Sequence, residues 1–232
     1  MSDFELRPRP FNLNDIPDAI DIVRAAWAFD EMESEIGRMT TAAHYLLKNL
    51  AAANIGYTVE RPASDEEDSE GASVAGFLLG HIPDLPMPGL LDSDEGRDWA
   101  KNINDLWVKQ TTPEERETWA RDWFTGEKLT KAKAEAAGLM PESPSTMLLF
   151  AVDGRLKGRG IGSALYRSFM TAHLGFNRDH AVILNTDTWC GWRFYEKHGF
   201  TRLADVPVYE DENDKSSAIG AFYLYAKLPE SH

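Results

Sequence analysis

The chain has 232 residues, 38 of them acidic and 24 basic, for a formal charge of −14. That balance excludes a protein that grips nucleic acid through a broadly basic surface, so no nucleic-acid partner is expected. With 43% apolar residues, 7 Trp and 11 Phe the chain can bury a substantial core, which excludes wholesale disorder, and its length suits one enlarged domain over 1–232.

Phe4, Leu6 and the neighbouring Arg7-Pro8 predict a short first strand. Asn14-Asp15 then reads as the cap of a helix whose apolar positions are Ile16, Ile20, Val23 and Trp27. A second helix carries the stripe Ile36, Met39, Ala43, Leu46, Leu47 and Leu50. Residues 55–61 and 72–82 read as the two strands of a hairpin, separated by the acidic stretch Asp65 to Glu70. From about 83 to 144 the character changes. Prolines and glycine at Pro83, Pro86, Pro88 and Gly89 give way to helical spacing in Trp99, Ile103, Leu106 and Trp107, then in Trp119 and Trp123. This helical insertion is too short for a core of its own and is expected to pack on the sheet beside the hairpin. The last third reads as a strand (Thr146–Val152), a glycine-rich turn, a helix (Ile161 to about His173), a strand (Ala181–Thr186), a helix (Trp189–His198) and two closing strands (Leu203–Tyr209 and Ala221–Leu228). Strand, helix, strand with short links implies a parallel pair inside an otherwise antiparallel sheet.

No apolar run approaches the roughly 18 residues of a membrane span, and the start, Met1 to Arg7, lacks a basic stretch followed by an apolar one. A cytoplasmic protein without a membrane partner is expected. Cys190 is the only cysteine, so neither an intramolecular disulfide nor a thiolate metal cluster can form, and six His without ligand spacing leave no metal site.

The sharpest feature is the strand Leu148-Leu149-Phe150-Ala151-Val152 emptying into Arg155-Leu156-Lys157-Gly158-Arg159-Gly160-Ile161-Gly162-Ser163 and a helix. Glycines let backbone N–H groups converge, and the first helical turn adds unsatisfied donors and the positive end of the dipole. Arg155, Lys157, Arg159 and Arg167 against the single Asp153 leave a local surplus of three positive charges in a strongly negative chain, which suits a polyphosphate. The spacing fits neither a P-loop, since no Lys follows Gly162, nor the Rossmann pattern, since the glycines stand at 158, 160 and 162. Taken alone, the three glycines would equally serve a tight strand-to-helix connection.

Two segments together resemble the GCN5-related N-acetyltransferase (GNAT) superfamily. Lys157, Gly160 and Gly162 align with its acetyl-CoA-binding motif [Gln/Arg]-x-x-Gly-x-[Gly/Ala], with Lys in place of Gln or Arg at the first position. Trp192-Arg193-Phe194-Tyr195-Glu196-Lys197-His198-Gly199-Phe200 is similar to its second signature, and the interval between the two also matches. The likeness is specific over about 146–202, and Thr188 stands where many relatives carry an asparagine. It implies a mixed α/β (α+β) fold: a central, mostly antiparallel sheet with a splayed parallel pair, helices on both faces, and here an extra helical insertion.

The resemblance further implies acetyl-CoA as co-substrate. Its pantetheine arm would lie along the strand bearing Phe150 and Val152, which offer backbone hydrogen bonds. Its diphosphate would lie on the amides from Lys157 through Gly158, Arg159, Gly160 and Gly162 to Ser163, with Arg155 and Arg159 near the charge. A primary amine of a small molecule or protein would attack the thioester directly. A backbone N–H near Phe150 would hold the oxyanion and Tyr195 would protonate the departing thiolate. Tyr195 would otherwise be an aromatic packed on the sheet. The base stays open among Asp187, the acidic residues of the first half and water, and Asp187 reads more simply as the cap of a helix beginning at Thr188. No His or Asn accompanies Cys190 in the manner of an acyl-cysteine enzyme. Trp27, Phe29, Asp30, Glu31 and Glu33 would rim the amine site by the same analogy, while Asp65–Glu70 and Glu210–Asp214 read as charged hairpin loops. The Trp-bearing insertion would wall the amine pocket, cover the sheet or form a homodimer surface, and stripes of helical Trp favour cover. Two other classes stay open: a non-catalytic acyl-CoA sensor, and an interaction protein using that insertion.

Overall fold

The computed structural model describes residues 6–27, 35–61, 74–211 and 214–229. In chain order the elements are β1 (Arg9–Pro10), α1 (Ile16–Ala26), α2 (Glu35–Ala52), β2 (Ile55–Glu60), β3 (Val74–His81), α3 (Asp94–Gln110), α4 (Pro113–Ala136), β4 (Ser145–Val152), α5 (Ile161–Phe176), β5 (Val182–Asp187), α6 (Arg193–Lys197), β6 (Thr201–Asp211) and β7 (Asp214–Lys227). The strand order is β1-β2-β3-β4-β5-β7-β6. Contacts divide the chain into two compact units, Met1–Thr112 with Leu148–Phe176, and Pro113–Met147 with Asn177–His232.

In the first unit the entry to α1 is fixed by charge as much as by propensity. Asn12 and Asp15 form a capping box, and Arg9 closes on the buried Asp15 carboxylate with hydrogen bonds of 2.9 and 2.7 Å. The expected first strand survives only as β1, and Phe4 lies outside the described residues. The α2 stripe is buried at Ala43, Leu46, Leu47 and Leu50, whereas Ile36 is exposed. Strand β3 is buried along all but its last residue because helices pack against it from α5 and from α1 and α2. Its unbroken run Val-Ala-Gly-Phe-Leu-Leu-Gly is what a strand covered on both faces requires.

In the second unit β7 pairs antiparallel with both β5 and β6, and the closing strands are longer than the sequence pattern predicts. A small core of Ala134, Ile183, Ala204, Leu224 and Ala226 joins α4 to this sheet, and Thr130 Oγ1 donates to Asn185 Oδ1 at 2.7 Å. Strand β6 ends the strand order, contains Pro207, and shifts register against β7 in three places.

The insertion, expected to pack on the sheet beside the hairpin, divides between two supports. Helix α3 lies on α2, whereas α4 lies on β6 and β7. The reason is in two contacts. Trp107 of α3 stacks on His44 of α2 with ring centroids 3.6 Å apart, and Gly126 of α4 sits directly against the ring of Phe222 on β7. A Cβ at Gly126 would fall inside that ring's van der Waals envelope. Gly126→Ala should therefore destabilise the protein by about 1–2 kcal/mol, overpacking outweighing the gain of roughly 1 kcal/mol in helix propensity. Urea unfolding would read this as a lower midpoint at unchanged slope; a raised midpoint would contradict it.

The expected helix over Trp189–His198 is cut to α6, five residues long. Residues 188–192 run as turns: Asp187 Oδ1 accepts the amides of Trp189 at 2.8 Å and Cys190 at 2.9 Å, and Thr188 is tied to the Ala221 backbone of β7.

Candidate functional site

The parallel register between β4 and β5 runs Ser145–Val182, Thr146–Ile183 and Met147–Leu184 and ends there. Strand β4 continues for five more residues, to Val152. Its exposure alternates, so Phe150 and Val152 share the less buried face while Leu149 and Ala151 are in the core. Phe150 and Val152 are each half-buried.

Beyond Val152 the backbone makes a defined series of turns. The Asp153 amide donates to the Ala75 carbonyl at 2.9 Å, and the Asp153 carboxylate accepts the Arg155 amide at 3.0 Å, opening a 3-10 turn over Gly154–Leu156. Gly158 and Gly160 take φ of 81° and 82°, left-handed values that cost any residue with a Cβ roughly 1 kcal/mol or more. The Ala164 amide donates to the Gly160 carbonyl at 3.0 Å, so α5 begins at once after Gly160. Ile161, Gly162 and Ser163 are the first three helical residues, whose amides have no carbonyl one turn back inside the helix. Lys157, Gly158, Arg159 and Gly160 are exposed, and Gly162 and Ser163 are half-buried. The Arg159 amide turns back to the Leu156 carbonyl at 3.4 Å, so within the series expected to converge it is already engaged.

The charge of the loop is arranged differently from its count. Asp153 is 7% exposed and takes two guanidinium groups, that of Arg155 through Nε at 3.0 Å and Nη2 at 2.8 Å, and that of Arg61 through Nη2. Its carboxyl is held below the usual range, chiefly by the Arg155 hydrogen bonds, which outweigh the cost of burial. Arg155 is therefore spent on Asp153 and is not a loose cation.

In the second unit, Tyr195 of α6 is half-buried, with ring centroids 5.6 Å from Phe194, 5.9 Å from Phe200 and 6.3 Å from Tyr225. Burial raises its phenol, and the charges of Cys190 and Asp187 raise it further. Cys190 Sγ reaches Asp187 Oδ2 at 3.5 Å. Although Cys190 has an exposed surface, crowding around its sulfur, followed by the Asp187 charge, pushes the thiol up to about 12. Such a thiol is inert at neutral pH. With one oxygen on two amides and the other facing the thiol, Asp187 serves the turn, as the capping reading expects, though it caps a turn and not a helix. Thr188 is fastened to β7: its amide and hydroxyl bond the Ala221 backbone, and its hydroxyl lies 3.1 Å from Tyr223 Oη.

The five-residue α6 is braced by a network that sequence pattern does not show. Tyr225 Oη donates to Glu196 Oε1 at 2.9 Å, Arg202 Nη2 donates to Tyr225 Oη at 2.9 Å, and the Arg202 guanidinium lies 4.0 Å from the centre of the Tyr223 ring. Of the proposed amine-site rim, Trp27 packs on Tyr45 with centroids 5.6 Å apart, and Phe29, Asp30, Glu31 and Glu33 lie outside the described residues. Among the described residues no cluster of His, Cys, Asp and Glu could hold a metal ion, and no helix is long and apolar enough to cross a membrane.

No protein-family model matches the chain, and no curated protein matches it. Solved structures do. A histone acetyltransferase HPA2 and related acetyltransferase from Corynebacterium glutamicum superposes with a TM-score of 0.56 at 16% identity, covering 99% of each chain. The ribosomal-protein-S18-alanine N-acetyltransferase of Escherichia coli gives 0.51 at 12% identity over 98% of this chain and 96% of that one. Arabidopsis thaliana NAA60, solved with a bisubstrate analogue, gives 0.50 at 12% identity over 98% and 100%. With its short parallel register, its glycine turn into α5 and its mixed seven-stranded sheet, the chain has the fold of the GCN5-related N-acetyltransferases.

Proposed function

We propose that this chain is an acetyl-CoA-dependent N-acetyltransferase that moves an acetyl group directly from the thioester to a primary amine. One observation carries the reading: the parallel register of β4 and β5 stops after three pairs although both strands run on, and β4 empties into a turn with two left-handed glycines at the head of a helix. The pantetheine amides would add along β4 beyond Met147, toward Phe150 and Val152, as an extended ligand adds to a strand. The diphosphate would take the amides of Gly158, Gly160, Ile161, Gly162 and Ser163, where the dipole of α5 favours negative charge, with Lys157 and Arg159 exposed beside it.

The neutral amine nitrogen attacks the thioester carbonyl, and collapse of the tetrahedral oxyanion breaks the C–S bond; of the two protons the ammonium nitrogen gives up, one goes to solvent before attack and the other makes good the proton delivered to sulfur. A backbone N–H near Phe150 would hold the oxyanion. Tyr195 would face the sulfur as donor, since a phenol with a raised pKa keeps its proton throughout the neutral range. Asp187 is committed to its turn, so the ammonium would lose its proton through water.

Acetyl-CoA titrated into the protein in a calorimeter should bind below millimolar, and free thiol should appear with at least one member of a panel of small amines and peptide N-termini. No binding at millimolar acetyl-CoA would overturn the proposal, and binding without thiol release across the panel would leave an acyl-CoA sensor in its place.

A further inference from the structure

The Arg61–Asp153–Arg155 cluster lies at the mouth of the glycine turn, and nothing in the acyl-transfer chemistry uses it. A buried carboxylate is costly, and capping a 3-10 turn needs only a neutral oxygen such as that of Asn or Ser. Asp153 nonetheless sits 7% exposed and binds two arginines, one from the end of β2 and one from the turn itself. Its amide is tied to β3 through Ala75, its own carbonyl accepts the Leu156 amide at 2.9 Å, and its carboxylate accepts the Arg155 amide. Three hydrogen bonds that shape the path from β4 to Gly158 thus involve this one residue.

We infer that Asp153 is the positioning residue of the phosphate turn: its carboxylate, gripped by Arg61 and Arg155, sets the course of the backbone from Val152 to Gly160 and so the direction of the amides that follow. The inference rests on the reading of that turn as a diphosphate site. It also predicts a sign. Removing a negative charge beside a phosphate should tighten binding if charge alone matters, whereas releasing the turn should weaken it.

Asp153→Asn keeps an acceptor for the Arg155 amide and drops the charge that holds the guanidinium groups. Calorimetry should show acetyl-CoA binding about tenfold weaker than in the wild type, because donors moved by even an ångström lose most of their grip on a fixed anion. S-acetylpantetheine, which has no diphosphate, should bind both proteins equally. Arg61→Gln, which leaves the Arg155 pair in place, should weaken acetyl-CoA by about threefold and serves if the first variant does not fold. Unchanged or tighter acetyl-CoA binding in the folded variants would overturn the inference, as would an equal loss for both thioesters, which would mark general damage. If the wild type itself does not bind acetyl-CoA, the transferase reading falls first and this inference with it; wild-type binding with a silent variant removes the inference alone.

Discussion

Tyr195→Phe is expected to slow acetyl-CoA-dependent thiol release about 100-fold while leaving acetyl-CoA affinity within about twofold of the wild type. The phenol sits among Phe194, Phe200 and Tyr225, so removing one oxygen keeps the packing of α6 and takes away only the donor. The effect should lie at the lower end of the range for general acids. Burial and the charges of Cys190 and Asp187 raise the phenol, so its proton is held more tightly than that of a thiol and is poorly matched to the sulfur it would serve. For the same reason the rate should show no falling limb from this group near neutral pH. Steady-state thiol release and a calorimetric titration of both proteins check the two halves. An unchanged rate would remove Tyr195 from the chemistry and return it to packing.

His44→Phe is expected to make the protein's stability less sensitive to acid. His44 is 2% exposed and stacks on Trp107 at an interplanar angle of 9°, and burial, reinforced by Lys48, lowers it from 6.5 to about 4. The unfolded chain therefore binds a proton that the folded chain refuses between these values. The stability that depends on neutral His44 is complete above pH 6.5 and drains away as pH falls toward 4. By pH 4.5 the wild type should have lost on the order of 2–3 kcal/mol that a stacked phenyl ring does not lose. Denaturant melts of both proteins from pH 7.5 to 4.5 measure this. Carboxylates titrate in both alike, so the difference between the two curves isolates His44, and parallel curves would refute it.

Much of the fold is written in local pattern. The α2 stripe, the β2–β3 hairpin and the strand–turn–helix around Gly158 and Gly160 follow from spacing within a few residues, because helix period and left-handed glycine are local properties. What spacing misses is decided by partners far along the chain. Asp153 reads as one charge of a basic loop until Arg61, 92 residues earlier, reaches it. The Glu196–Tyr225–Arg202 network depends on the register that sets Arg202 opposite Tyr225. The two helices of the insertion share a composition, yet His44 draws α3 to α2 and Phe222 receives α4, a divergence no apolar count reveals. Helix α6 is shorter than its pattern, with residues 188–192 in turns and Thr188 held to Ala221, 33 residues further along the chain.

The irregular course of β6 also bears on how this protein behaves in crowded solution. A terminal strand that contains a proline and slips register three times against its partner presents an interrupted row of donors and acceptors. A stray strand from a neighbouring molecule finds no continuous template there, so the β6–β7 pair is guarded against fibril growth by its own unevenness.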